Sequence, residues 1–384
     1  MPPYDAFLLV SFGGPEAPGD VIPFLRNVTR GRDVPPERLE QVAEHYYRFG
    51  GASPINQQCR DLITAIEKDF AAAGITLPVY WGNRNWAPYL AETVRSMAAD
   101  GVRRALAFVT SAYSSYSSCR QYLDDIERAR AQAGPGAPVI DKIRQFYDHP
   151  GFIGPLAAST RRAIESLPDS VSEKAELVFT AHSIPADMAA ASGPGGCGAY
   201  PAQLAEAAGL VAGLAGPGSG GTARRWRLAY QSRSGPPAQP WLEPGLGDCL
   251  AELAGAGVPA VVLIPVGFVS DHMEVRYDLD VEAAETARRL GLRMVRAATP
   301  GTDPAFVAMI TELVRERTNG APRSALGDLG GMHDICPSGC CAARPAGPVS
   351  ADPAAVSGDP AAVSGDPAAV SGDPAAVSDD RGRP

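Results

Sequence analysis

Residues 176–185 read ELVFTAHSIP, an apolar run that is followed at once by a histidine, a serine and a proline. Such a run is typical of a strand that is covered on both faces, as strands of parallel sheets are. Seven other segments have the same character, at residues 6–12, 79–84, 105–114, 139–146, 226–232, 260–268 and 293–299. Helix-like stretches separate them, so the sequence predicts an α/β fold with helices on both faces of parallel sheets.

Eight strands are compatible with one closed barrel or with two four-stranded sheets. The break near residues 150–170 favours two Rossmann-like domains, each a parallel four-stranded sheet flanked by helices, with a ligand cleft between them. We therefore predict an N-terminal domain over residues 1–165 and a C-terminal domain over residues 166–320. A cysteine-bearing extension over residues 321–345 and a tail over residues 346–384 follow.

The tail repeats the heptad SGDPAAV from residue 350 onward. Each copy contains a proline and most contain a glycine, which excludes a coiled coil. Without large apolar side chains the repeat cannot offset the entropy cost of ordering its backbone, so we expect it to be disordered. The tail carries −4 of the net charge of −9, and the rest of the chain is only mildly acidic.

The overall composition places few other limits on function. Hydrophobic residues make up 45% of the chain and charged residues 20%, which is a normal globular balance. No basic leader precedes the first apolar run, and the longest such run, at residues 258–269, is too short to span a bilayer. We expect a cytoplasmic protein without a transmembrane segment, and the charge gives no indication of nucleic-acid binding.

Polar or aromatic residues follow five of the predicted strands directly. These segments are residues 11–15, 110–119, 180–185, 230–237 and 265–278. Ligands of open α/β folds bind at the carboxyl ends of strands, so the five segments are expected to line a pocket.

His182 lies at the end of the strand predicted within residues 176–185. Its near-neutral pKa would let it accept a proton or bind a metal ion. Taken alone, however, the histidine is explained more simply as a hydrogen-bonded core residue.

Three acidic residues in the segment SDHMEVRYDLDVEAAETARRL are spaced four apart: Glu274, Asp278 and Glu282. On a helix this spacing places their carboxylates in one stripe, where they repel one another. The stripe could be a solvated face partly neutralised by Arg276 and Arg288. Opposite a histidine it would instead provide the nitrogen and oxygen ligands that suit a divalent metal.

A third segment, residues 24–57, is rich in aromatic and basic side chains. It could cover a flat apolar ligand while its arginines pair with carboxylates. An ordinary amphipathic helix is the alternative.

Five motifs together resemble the signature segments of ferrochelatases: SFGGP, GGASPINQ, AHSIP, YQSRSGPPAQPWLEP and PVGFVSDHMEVRYDLD. The resemblance covers residues 5–320 in consistent order. It implies a lyase-type chelatase of haem biosynthesis that inserts Fe²⁺ into a porphyrin and releases two protons. It also implies the two-domain, chelatase-type fold with the porphyrin held in the cleft.

The resemblance assigns roles by position. His182 and Glu274 would be the catalytic pair that binds the substrate iron and takes pyrrole protons, with His272 assisting. Asp278 and Glu282 would extend an acidic ridge for iron delivery or proton release. The residues expected to contact the porphyrin are Thr29, His45, Tyr46, Ser53 and Tyr122.

Two positions depart from the pattern of some relatives. Phe12 stands where they have an axial tyrosine, and Asn85 stands where they have a histidine, so neither position can serve as that metal ligand here. Composition and cysteine layout resemble actinobacterial members, which favours coproporphyrin III as substrate over protoporphyrin IX. A cobalt chelatase or a non-catalytic haem-binding protein of the same fold is the alternative, and transient contact with neighbouring haem-pathway enzymes is expected.

The segment HDICPSGCCAARP contains three cysteines within six positions, Cys336, Cys340 and Cys341. They could be free thiols or part of a zinc site, although the usual C-x₂-C pairs are missing. A [2Fe–2S] cluster needs four ligands, and the resemblance implies Cys119 as the fourth, with a structural or sensory role. His333 is an alternative ligand, and the remaining cysteines are interpreted as core or loop residues: Cys59, Cys197 and Cys249.

Overall fold

The computed structural model describes residues 4–32, 34–235 and 238–342. The predicted disordered repeat at residues 346–384 lies outside the described residues. Within the described residues the fold consists of two four-stranded parallel sheets with helices on their faces, which confirms the predicted fold class.

The first sheet has the strand order β2-β1-β3-β4. Its strands are β1 (Ala6–Ser11), β2 (Val79–Asn83), β3 (Arg104–Val109) and β4 (Val139–Lys142). The second sheet repeats this order as β6-β5-β7-β8. Its strands are β5 (Glu176–His182), β6 (Trp226–Gln231), β7 (Ala260–Ile264) and β8 (Arg293–Arg296). In each sheet the chain reverses its direction of winding between the first and third strands, and open α/β sheets bind ligands at such a switch point.

Thirteen α-helices are described. Those of the first half are α1 (Val21–Val28), α2 (Pro36–Tyr47), α3 (Ile55–Ala72), α4 (Leu90–Ala99), α5 (Gln121–Ala133) and α6 (Pro150–Glu165). Those of the second half are α7 (Asp169–Ser172), α8 (Ala186–Ala190), α9 (Ala199–Leu214), α10 (Leu246–Gly255), α11 (Met273–Tyr277), α12 (Ala284–Arg289) and α13 (Pro304–Asn319).

Alternate side chains of the central strands enter different cores. In β1, Phe7 and Leu9 belong to a large cluster shared by both halves, whereas Leu8 and Val10 pack in a separate cluster with α4 and α5. Strand β5 behaves in the same way, because Phe179 joins the shared cluster and Val178 packs on the opposite face of its sheet. Covering both faces is what makes these strands continuously apolar in sequence.

The predicted strands were correct in place but several were too long at their carboxyl ends. Strand β3 ends at Val109 although the apolar and β-prone residues continue to position 114, and β7 ends at Ile264 instead of Phe268. Beyond these points the backbone leaves the sheet to form the loops at the strand ends. The boundary between domains at residue 165 stays a prediction.

The segment in which a helix would align Glu274, Asp278 and Glu282 is interrupted by a π-helical turn, Asp278–Ala283, between α11 and α12. The buried residues here recur every four positions, at Val275, Leu279, Ala283 and Ala287. In a regular α-helix a four-residue repeat drifts by roughly 40° per step. The wider π turn compensates for that drift and keeps the apolar side chains on the core.

Helix α13 packs back on α6 and on α3 of the first half. Thr311 donates to Asp69 Oδ2, and Arg315 Nη2 donates to Ala73 O at 3.1 Å. None of the helices among the described residues is long and apolar enough to cross a membrane.

The contact between α6 and α13 depends on a glycine. A Cβ atom at Gly151 would lie 2.6 Å from both Ala305 O and Met309 Cβ. We predict that Gly151→Ala destabilises the protein by about 1–3 kcal/mol, because the two helices must separate.

Gly154→Ala in the same helix is the matched control, since a Cβ there meets nothing within 4 Å. It should be neutral or stabilise by up to about 1 kcal/mol. Thermal unfolding would check both, and equal melting temperatures for the two variants would contradict the packing argument.

Candidate active site

The loops that follow β5 and β7 meet at the switch point of the second sheet. His182 is the last residue of β5, and Glu274 lies in the first turn of α11, shortly after β7. Their side chains face each other, with His182 Nε2 at 3.5 Å from Glu274 Oε2. Both are accessible, since about a third of the His182 side chain and half of the Glu274 side chain are exposed.

The tautomer of His182 follows from its other ring nitrogen. Nδ1 is hydrogen-bonded to the carbonyl oxygen of Ser183. A carbonyl can only accept, so Nδ1 carries the proton and Nε2 of the neutral ring presents a lone pair. Two acceptors, Nε2 and the Glu274 carboxylate, therefore face one another. This arrangement is favourable when a proton or a metal cation lies between them.

The separation of the two acceptors also suits a metal ion. A divalent ion bound at ~2.1 Å from each atom would subtend an angle of roughly 110°, close to tetrahedral. The pair can therefore accept a proton or bind a cation without rearrangement. Burial lowers the pKa of the nearby His272, which favours its neutral form, and the Glu274 charge offsets part of this shift.

Asp278 is set back from the pair and is not a free surface carboxylate. Gln231 Nε2 donates to Asp278 Oδ2 at 3.2 Å, and the Ser232 hydroxyl donates to the same oxygen. Burial raises the pKa of Asp278 to about 7, and the Glu274 and Glu282 charges add to the shift. Burial and the Glu285 charge also raise the pKa of Glu282. The three acids predicted to form a ridge are thus electrostatically coupled, across a π turn instead of along a regular α-helix.

The residues predicted to contact a porphyrin come from separate elements of the first half. Tyr46 and Ser53 are buried, and Tyr122 is buried in α5. Gly14 has no room for a Cβ, which would lie 2.7 Å from Ser53 Cβ, so the loop after β1 lies directly against Ser53. Thr29 caps α1 and its hydroxyl donates to Leu25 O at 2.8 Å.

An aromatic row connects these positions to the His182–Glu274 pair. The Phe24 ring contacts the rings of Phe12 and Tyr46, with centroids 6.2 and 5.9 Å apart. Tyr46 in turn lies near Glu274, whose charge, after burial, raises the pKa of the phenol. Met273 of the second half belongs to the same cluster. The row therefore spans the gap between the two halves.

The segment carrying α1 and α2 is closed on the second half. The His45 ring stacks on Tyr277 with centroids 3.6 Å apart and planes 6° from parallel. Arg48 lies over the same tyrosine, and Arg276 lies over Phe49. We call this contact between α2 and α11 the lid contact. Tyr277 was not predicted as part of the site, since a half-buried tyrosine beside an aspartate carries no signal of its own.

Arg84 was also missed as a component of the site. Its guanidinium lies between the Phe12 and Tyr122 rings, 5.6 and 4.7 Å from their centroids, and pairs with Asp125 at 2.5 Å. The Asn85 side chain donates to the backbone oxygen of Phe12 at 3.3 Å. Asn85 thus holds the loop after β1, in agreement with the absence of a metal-ligand role.

The four predicted cluster cysteines come together at one place. Cys119 is buried in a π-helical turn, Tyr116–Arg120, and hydrogen-bonds Cys336, which lowers the pKa of the Cys119 thiol, with the Lys142 charge contributing. Cys340 Sγ lies 3.9 Å from Cys341 Sγ, and Cys341 Sγ accepts from the backbone of Gly193 at 3.2 Å. Two ligands of one tetrahedral ion lie ~3.8 Å apart, so the thiol spacing suits a metal.

His333 belongs to the same group. Its Nε2 is 3.8 Å from Cys340 Sγ, and the donor atoms of His333, Cys336 and Cys340 all lie within 4.8 Å of one another. Burial lowers the pKa of His333, which favours the neutral ring that binds metals. These three residues could hold a metal ion, and Cys341 and Cys119 lie beside them.

Two four-stranded parallel sheets, with a histidine and a glutamate facing each other at the strand ends of the second, agree with the class of two-domain chelatases. The ferrochelatase family model matches residues 4–318, and the chain belongs to the ferrochelatase family. A coproporphyrin III ferrochelatase of Streptomyces coelicolor is 52% identical over 362 residues, covering 91% of this chain and 96% of the relative.

Two other relatives show the same extent of similarity. A ferrochelatase of Rhodopirellula baltica is 52% identical over 91% of this chain and 96% of its own length. A coproporphyrin III ferrochelatase of Nocardia farcinica is 54% identical over 89% of this chain and 98% of its own length. The family predicted from the five motifs is confirmed.

The raised pKa of Asp278 has a consequence for stability. The folded protein holds this proton more tightly than the unfolded chain, so the favourable contribution is complete below about pH 4 and is lost as the pH rises to about 7. Asp278→Asn cannot titrate, so we predict that its stability relative to the natural protein rises through this window. The slope should approach ~1.4 kcal/mol per pH unit.

Denaturant unfolding at several pH values would measure the difference. Asp248→Asn removes an exposed carboxylate of the same half and controls for the loss of one negative charge. A difference between Asp278→Asn and the natural protein that does not change with pH would disprove the assignment.

Proposed function

We propose that this protein inserts Fe²⁺ into coproporphyrin III to give coprohaem, with release of two protons. The observation that carries this proposal is the pair of acceptors formed by His182 Nε2 and Glu274 at the strand ends of the second sheet. The names of its relatives support the choice of substrate.

The chemistry requires that two pyrrole protons leave as the metal enters. A porphyrin presents its two N–H groups inside a planar ring, so a cleft that favours the buckled ring lowers the barrier. His182 Nε2 has a free lone pair with which to accept a proton, and Glu274 can bind the incoming iron. Iron stays in the ferrous state, so no electron is transferred.

The acids behind the pair fit a path for the protons or the iron. With a pKa near neutrality, Asp278 can take up and release a proton at physiological pH. Glu282 lies further out, on the exposed side of the π turn. We assign to these two residues the transfer of protons or iron between Glu274 and solvent.

The aromatic row and its neighbours are assigned to porphyrin binding. Tyr46, Ser53 and Tyr122 would contact the macrocycle, and Thr29 and His45 would do so from the lid. His45 is stacked on Tyr277, so the lid contact must open for the porphyrin to enter. Phe12 has no atom that can ligate the metal, which leaves the His182–Glu274 side as the face of insertion.

A [2Fe–2S] cluster held by Cys119, Cys336, Cys340 and Cys341 is proposed as the resident cofactor, with His333 as the alternative ligand. The spacing of the thiols and the proximity of Lys142 to Cys119 support it. A [2Fe–2S] cluster supplies a one-electron centre, which metal insertion does not use, so we assign it a structural or sensory role. None of the seven cysteines forms a disulfide. Neighbouring haem-pathway enzymes would transfer the porphyrin to this protein through transient contacts.

The activity is tested by mixing the protein anaerobically with Fe²⁺ and either coproporphyrin III or protoporphyrin IX. We predict metallation faster than in a protein-free control, with coproporphyrin III preferred. His182→Ala should reduce kcat by about 10²-fold or more while leaving porphyrin binding intact, because the proton acceptor is lost.

Glu252→Gln removes an exposed carboxylate of the same half that pairs with Arg227, and it should retain full activity. Metallation no faster than in the protein-free control would refute the catalytic role and favour a non-catalytic haem-binding protein. Preference for Co²⁺ over Fe²⁺ would indicate a cobalt chelatase, and full activity of His182→Ala would refute the assigned role.

The cluster is tested separately by measuring iron, acid-labile sulfide and visible absorption of protein purified without oxygen. We predict one cluster per chain, and in Cys119→Ser either its loss or, where His333 takes the fourth position, a changed visible absorption. Cys249→Ala removes a buried thiol from the core of the second half and should keep the cluster. Zinc in place of iron and sulfide, or a cluster with unchanged absorption in Cys119→Ser, would contradict the proposal.

A further inference from the structure

Arg296, at the end of β8, forms two forked ion pairs with a single guanidinium group. Its Nη1 and Nη2 donate to the two oxygens of Asp271 at 3.2 and 3.1 Å. Its Nε and Nη2 donate to the two oxygens of Asp280 at 2.6 and 3.2 Å. Less than a fifth of the Arg296 side chain is exposed, so water screens these pairs weakly.

The two aspartates bracket the segment that carries the acidic side of the site. Asp271 precedes His272 and α11, and Asp280 lies inside the π-helical turn. Glu274 and Asp278 fall between them. A guanidinium held to both carboxylates thus fixes the distance between the start and the end of this segment.

Other contacts anchor the Asp271 end. Thr299 Oγ1 donates to Asp271 Oδ1 at 3.1 Å, and the Asp271 backbone N–H donates to Gln58 Oε1 at 2.9 Å. Gln58 belongs to α3 of the first half, so the segment is tied across the cleft as well as to its own sheet. Arg276 reaches Asp280 at 2.8 Å from within α11.

Only arginine can make this arrangement. The planar guanidinium presents donors along two edges, and each edge matches one carboxylate, whereas the lysine ammonium is a point charge that cannot pair both aspartates in this way. The wide π turn is intrinsically less favourable than an α turn, and such turns are frequent at functional sites. Here Asp280 ties the turn directly to β8.

We propose that Arg296 is a positioning residue for metal insertion: it holds the Asp271–Asp280 segment so that Glu274 stays within reach of His182 Nε2. The proposal rests on the proposed function of the His182–Glu274 pair. Arg296 itself contacts neither residue and acts through the backbone of α11 and the π turn. A misplacement of about 1 Å between reacting groups can cost on the order of 10² in rate.

The experiment compares Arg296→Lys and Asp280→Asn with the natural protein. Each should lower kcat for iron insertion roughly 10–100-fold, with a much smaller change in the KM for the porphyrin, because the aromatic side chains of the row all belong to the first half. The double variant should be no slower than Arg296→Lys alone, since both substitutions break the same contact. Arg293→Lys in the same strand is exposed and serves as the matched control with natural kcat.

A second measurement does not depend on activity. Amide hydrogen exchange over residues 272–283 should be faster in Arg296→Lys than in the natural protein, while exchange in β5 and β7 is unchanged. A role limited to overall stability would instead accelerate exchange throughout the second half. If Arg296→Lys fails to fold, Asp280→Asn alone decides, because it keeps the pair with Asp271.

Natural kcat in Asp280→Asn together with unchanged exchange over residues 272–283 would overturn the proposal. If the natural protein does not insert iron at all, the proposed function fails. The hydrogen-exchange comparison would then still show whether Arg296 holds the segment.

Discussion

The backbone carbonyl of Ser183 accepts the Nδ1 proton of His182, and the chemistry available to the cleft depends on this hydrogen bond. With Nδ1 protonated, Nε2 of the neutral ring can only accept, and it faces a carboxylate that can also only accept. In the other tautomer, Nε2–H would donate to Glu274, and the two groups would satisfy each other without a cation. The orientation of a single peptide group therefore decides whether the pair is a closed hydrogen bond or an open site for a proton or a metal ion.

The surrounding elements preserve this geometry from both sides. His182 is fixed by β5, whose last residue pairs with Gln231 of β6, while Tyr200 donates to the His182 backbone oxygen at 2.9 Å. Glu274 is carried by a short helix whose position is set by the ion pairs of Asp271 and Asp280. Hydrogen bonds of the sheet thus hold His182 in place, and ion pairs hold the segment that carries Glu274.

The sequence predicted the parts of this site that depend on burial and order along the chain. The central strands β1, β3, β5 and β7 were visible because both of their faces are covered, and His182 was visible because it ends one of them. The π turn was not predicted, although its cause lies in the sequence: Val275, Leu279, Ala283 and Ala287 repeat every four residues, between the periods of α- and π-helices. A repeat of that kind fits either an α-helix or a π turn. The ion pair between Asp280 and Arg296 could not be predicted either, because Arg296 reaches this position only when the chain returns in β8. Arg84 was missed for a similar reason, since its partners Phe12, Tyr122 and Asp125 are distant in sequence.

The cysteine group formed by Cys119, Cys336, Cys340 and Cys341, here called the thiol centre, lies beside the first sheet, whereas the His182–Glu274 pair lies at the second. This separation bears on the role of the thiol centre. Cys119 follows β3 and Lys142 ends β4 of the first sheet, whereas His182 ends β5 and Glu274 follows β7 of the second. The extension that bears the other cysteines is held independently of any metal: Arg144 pairs with Glu316 at 2.7 Å and donates to Ser324 O, and Leu329 N donates to Glu206. The Arg144–Glu316 pair is buried, so the start of the extension is held before the chain reaches the cysteines. A metal there would therefore complete a site that the protein has organised, and its loss would be felt first in the last residues of the extension and not in the cleft.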